Sequence, residues 1–150
     1  MIQKNLRIRI LFEYIILMAV IGSMAAILIH ERERMREIEL DRQQPDFSAL
    51  LAFGDRRHTL ERLVAETKKE MDEVRKAAEA KDMEALDGWV HHLRSSWMMM
   101  KTEQPLQELY AVIHSDSPTD GEIAHAVQKV LEQGKLIVDL ARKEAERWEE

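Results

Sequence analysis

The chain begins with a run of apolar positions. Between Ile10 and Ile29 the only charged residue is Glu13. Twenty residues in a helix cover roughly 30 Å, the thickness of a bilayer's hydrocarbon core. The pattern therefore predicts a transmembrane helix over 10–29, preceded by a basic tail over 1–9. Glu13 lies near one end, within reach of the headgroups. Lys4, Arg7 and Arg9 precede the run and Arg32, Arg34 and Arg36 follow it, so the flanking charges do not set an orientation. A cleaved signal peptide is the rival reading, with Ser23-Met24-Ala25 as the cleavage site. Against it, the apolar run continues through Ile27, Leu28 and Ile29, past the point where a signal peptide turns polar. Residues 30–44 alternate in charge without a breaker and predict a charged linker helix. Pro45 marks the domain boundary.

After Pro45 the apolar positions are spaced rather than continuous. A short apolar helix is expected over 46–53, anchored by Phe47, Leu50, Leu51 and Phe53, with Gly54-Asp55 ending it. Over 56–80, Leu60, Leu63, Val64, Thr67, Met71, Val74 and Ala78 recur at steps of three and four, one stripe of a helix. Asp82 is placed to cap a third helix reaching about Lys101, with Met83, Leu86, Val90, Leu93, Trp97 and Met100 as its stripe. Thr102 is placed to cap a fourth, carrying Leu106, Leu109, Tyr110 and Ile113. Ser117-Pro118-Thr119-Asp120 reads as a cap, a proline at the first helical position and an acid in the first turn. The last helix carries Ile123, Val127, Val130, Leu131, Ile137, Val138 and Leu140, with Gly134 as the position where it could break. Each helix has one apolar side and the connections are short. The expected fold of 45–150 is all-α, an antiparallel four-helix bundle with short extra helices.

Composition narrows the function classes. The chain has no cysteine, which excludes disulfides and thiolate metal sites. Its net charge is −6. Residues 45–150 hold fifteen Lys/Arg against twenty-two Asp/Glu, an acidic surface that argues against nucleic acid as a partner.

The third helix carries the informative chemistry, Asp87-Gly88-Trp89-Val90-His91-His92-Leu93-Arg94-Ser95-Ser96-Trp97. Val90 and Leu93 point to the core, which puts His91 at the edge of the buried face. Its helical neighbours are Gly88 at i−3, Arg94 at i+3 and Ser95 at i+4. Two small residues leave a hollow beside the imidazole, and Arg94 adds a permanent cation suited to phosphoryl oxygens. Imidazole is a competent nucleophile near neutral pH. His92 competes, with Gly88 and Ser96 one turn away on either side, but Arg94 lies on a different face from it. A solvated His-His pair is the bland alternative. Zinc is disfavoured because adjacent helical histidines diverge and no nearby carboxylate completes a set. Met98-Met99-Met100 and the three tryptophans read as packing. His30, His58, His114 and His125 form no pattern.

The segment His91-His92-Leu93-Arg94-Ser95-Ser96 resembles the motif of the histidine-containing phosphotransfer (HPt) domain: a histidine, any residue, a leucine, a basic residue, then small residues. Residues 76–82 look like the family's turn into the histidine-bearing helix, and Asp46–Leu51 with Phe53-Gly54-Asp55 like its opening helix. The likeness covers about residues 45–115, and the last helix by type. It departs at Ser95, where the family usually has glycine, and near Met100, where it usually has a small residue. The resemblance implies a phosphoryl carrier of a bacterial two-component phosphorelay rather than an enzyme. His91 would be the phosphoacceptor and Arg94 would stabilise phosphoryl charge, with Gly88, Ser95 and His92 in the binding surface. The partner would be a response-regulator receiver domain that supplies Mg²⁺, the carrier holding no cofactor itself. Residues 1–40 are similar to the first membrane helix of bacterial sensor histidine kinases, which implies the bacterial inner membrane; the phosphorelay partners, being cytoplasmic, imply a C-terminal domain in the cytoplasm. No ATP-binding glycine box accompanies them. A membrane-tethered adaptor without catalysis, and an inactive HPt-like domain that only binds receivers, are the alternatives.

Overall fold

The computed structural model describes residues 2–40, 42–52 and 54–148. These residues form five α helices and no strand: α1 Ile2–Leu40, α2 Arg56–Glu79, α3 Met83–Met99, α4 Gln104–Ile113 and α5 Asp120–Glu146. The chain divides into two compact units, Met1–Glu37 and Ile38–Glu150.

The first unit is helical from Ile2 onward. Its large apolar side chains lie on the outside, Phe12 at 63% exposure, Leu17 at 56% and Ile29 at 58%. A continuous apolar sheath of this kind is costly to expose to water. The helix is long and apolar enough to cross a membrane. Glu13 is paired with Arg9 one turn earlier at 3.4 Å.

The second unit takes in the end of α1 from the buried Ile38 and continues through an irregular strap, residues 42–47. The short helix expected over 46–53 is instead a turn. The Leu51 N–H donates to the Phe47 carbonyl at 3.0 Å, while the Asp46 carboxylate accepts from both the Ser48 N–H and its hydroxyl. That local Asp–Ser pairing competes with helix continuation. Gly54, at φ +88°, then takes a left-handed conformation. Phe53, expected as an anchor here, lies outside the described residues.

α2 and α3 start where the polar residues before them dictate. Asp55 accepts from the His58 N–H and Asp82 from the Ala85 N–H. Two other caps differ from expectation. Thr102 does not open α4. It is fully buried, and its N–H and hydroxyl both donate to the Trp97 carbonyl, at 2.8 and 3.2 Å, closing α3. α4 is capped from outside by Gln43, whose Oε1 accepts from the Gln104 N–H at 3.1 Å. The N-cap of α5 is Thr119, whose hydroxyl accepts from the Glu122 N–H. Ser117 therefore lies outside the helix at φ +51°, and Pro118 precedes the cap instead of entering the first turn.

α2 packs on α3 and α5, and α4 packs on α3 and α5. Leu86, Val90, Leu93 and Trp97 of α3 are buried in one core with Val74, Leu106, Leu109, Val127, Val130 and Ile137. Leu60, Ala141 and Ala145 form a smaller cluster. α5 runs through Gly134 without a break. A Cβ there would lie 2.3 Å from Met71 Sδ, so the glycine permits the close approach of α2 and α5. The fully buried Gln133 grips the strap: its Oε1 accepts from the Gln43 N–H and its Nε2 donates to the Gln43 carbonyl, both at 2.7 Å.

Candidate functional site

The register of α3 is set by its buried stripe, and the positions one step past that stripe reach solvent. His91, His92, Arg94 and Ser95 are all exposed. Gly88 is exposed as well, with open space where a Cβ would stand.

The two histidines look toward different helices. His92 faces α2, with its Nε2 3.2 Å from a Glu70 carboxylate oxygen and its ring edge-on to Trp89 at 5.2 Å. Burial pushes the Glu70 carboxyl above its ordinary value and nearby Glu66 adds to the rise, against the opposing pull of His92. His91 faces α4. Its ring meets Tyr110 edge-on, 6.3 Å between centroids at 82°.

His91 and Arg94 share a cleft of about 320 Å³ between α3 and α4, lined also by Val90, Glu103, Leu106, Gln107 and Tyr110. Among the described residues, neither the His91 imidazole nor the Arg94 guanidinium makes a hydrogen bond or ion pair. One Glu103 oxygen is buried in the cleft wall without a hydrogen-bond partner. Ser95 is exposed one turn after His91 but does not line the cleft. The arrangement offers an accessible nucleophilic nitrogen beside a cation that forms no ion pair among the described residues, with the Glu103 carboxylate in the same cleft wall.

The structure brings His91 and Arg94 into one cleft, leaves Gly88 exposed outside its lining and turns His92 toward α2. Three residues of this region were not foreseen. Tyr110, expected in the apolar stripe of α4, is 43% exposed and overhangs the cleft. Behind it stands His114, ring centroids 4.3 Å apart. His114 Nε2 lies 3.0 Å from Asp87 Oδ1. The available signal was the i,i+4 spacing of Asp87 with His91 and of Tyr110 with His114. Single-chain spacing does not say which turn of α4 meets which turn of α3. Of the three consecutive methionines, Met100 is buried, but Met98 and Met99 are 51% and 46% exposed. Packing therefore accounts for Met100 alone.

Comparison of the chain with family models, curated proteins and solved structures gave no match.

Proposed function

We propose that the chain is a histidine phosphotransfer module that accepts a phosphoryl group on His91 from a receiver-domain aspartate and passes it on. The observation that carries the reading is the contrast between the two histidines. His92 is engaged by Glu70 and Trp89, whereas His91 lines an open cleft with Arg94 and its ring nitrogens have no hydrogen-bond partner among the described residues. In the transfer, one imidazole nitrogen attacks phosphorus in line. The nitrogen–phosphorus bond forms as the acyl phosphate oxygen–phosphorus bond breaks, and the aspartate leaves as a carboxylate. Arg94 compensates charge on the phosphoryl oxygens, and the receiver contributes Mg²⁺. The open space at Gly88 and the small Ser95 leave room for the partner's approach.

In this reading α2 to α5 form an antiparallel four-helix bundle. The apolar stretch of α1 anchors it in the bacterial inner membrane with the bundle in the cytoplasm, where receivers are found. The test is incubation of the full chain in detergent with a panel of phosphorylated receivers, followed by assay for acid-labile protein-bound phosphate. Transfer to wild type but not to His91→Gln is the expected result. Stoichiometric receiver binding without transfer would replace the carrier by an inactive binding domain.

A further inference from the structure

An exposed histidine on a helix normally samples several rotamers, yet in-line attack needs one ring nitrogen aimed at phosphorus. Something must restrict the ring without consuming its lone pair. Three side chains across the α3–α4 seam meet that requirement. Tyr110 abuts the His91 ring edge-on, away from any hydrogen bond to its nitrogens. Tyr110 is itself backed by the tilted ring of His114, and His114 is fixed by Asp87 at 3.0 Å. Asp87 sits one turn before His91 on α3, and Tyr110 one turn before His114 on α4. The contacts thus close a circuit that begins and ends on the histidine's own helix.

We propose that Tyr110, held by the Asp87–His114 bridge, is the positioning residue for His91. The proposal rests on the phosphotransfer reading of His91 and adds the element that orients its ring. Because the contact is through the ring and no hydrogen bond of the Tyr110 hydroxyl enters it, phenylalanine should serve as well as tyrosine.

The experiment follows two readouts in the full chain in detergent micelles. One is the imidazole NMR signals of His91, assigned with His91→Gln. The other is the rate of labelling by phosphoramidate, in which the donor's nitrogen–phosphorus bond breaks, the imidazole–phosphorus bond forms and ammonia leaves. Tyr110→Phe should keep both near wild type. Tyr110→Ala should move the His91 signals, leave those of His92 in place and slow labelling about three- to tenfold, as expected for a loosened nucleophile. Asp87→Asn, at a half-buried position, and His114→Gln, at an exposed one, should move the His91 signals the same way by less. Unmoved His91 signals in Tyr110→Ala and Asp87→Asn would overturn the proposal. So would moved signals with an unchanged rate. A wild-type chain that takes no label from phosphoramidate or any receiver, while its His91 signals still respond to Tyr110→Ala, would show that the phosphotransfer reading itself is wrong and would remove the positioning role with it.

Discussion

At the scale of single residues, adjacent histidines acquire different chemistry because a helix turns 100° between them. The consequence is measurable. His91→Gln should abolish labelling and His92→Gln should preserve it. Arg94→Ala should slow transfer about ten- to a hundredfold, the loss of one charge-assisted contact to the phosphoryl group. Labelling that survives His91→Gln and disappears in His92→Gln would reverse the assignment. Glu70 gives a second prediction. Its raised carboxyl keeps a proton in the folded chain to a higher pH than in the unfolded chain. The stability this contributes is therefore complete below its ordinary value of 4.5 and is lost as pH rises through the raised one. Glu70→Gln should flatten the urea midpoint against pH above 4.5, and His92→Gln, which removes the opposing imidazole, should steepen it. Parallel curves for all three proteins would contradict this account.

At the scale of elements, the stripes of α2 and α3 were legible because burial follows the 3.6-residue repeat, and Leu86, Val90, Leu93 and Trp97 obey it without exception. The same rule misplaced Tyr110. Positions 106, 109, 110 and 113 fit one helical face, but the ring is drawn outward by His91 and His114, partners whose register across the seam no local pattern encodes. Thr102 was misread for a similar reason. A threonine before a helix suggests a cap, yet here its best acceptor belongs to the helix behind it. Gln133 offered no signal, since it bonds the main chain of a residue ninety positions away. Gly134 reads in sequence as a weakness and in structure as a fit. Gly134→Ala gains about 1 kcal/mol of helix propensity but sets a Cβ 2.3 Å from Met71 Sδ and 2.6 Å from its Cγ. Overpacking of that kind costs about 1–3 kcal/mol, so urea unfolding should show a net loss. Combining it with Met71→Ala should recover part of that loss as a favourable coupling energy. Additive effects would mean that the two helices part without strain.

At the scale of the whole molecule, the chain joins a helix dressed in apolar side chains to a helical unit with an acidic surface. The full chain should sediment with membranes and be released by detergent but not by high salt, because salt screens charge and leaves apolar insertion intact. Recovery in the soluble fraction at full length would refute the anchor, and loss of about 25 residues would identify a signal peptide.

The grip of Gln133 on Gln43 acquires a mechanical meaning in a tethered protein. Tension arriving along the chain meets Gln43 before it meets α2. There Gln43 is held by two bonds to the Gln133 side chain, its own side chain holds the start of α4, and the Asp46 N–H donates to the Met100 carbonyl. In a chain anchored through α1, these bonds would pass a pull into the middle of α5 and the α3–α4 corner before it reached the turn at Ser48 and the first residues of α2.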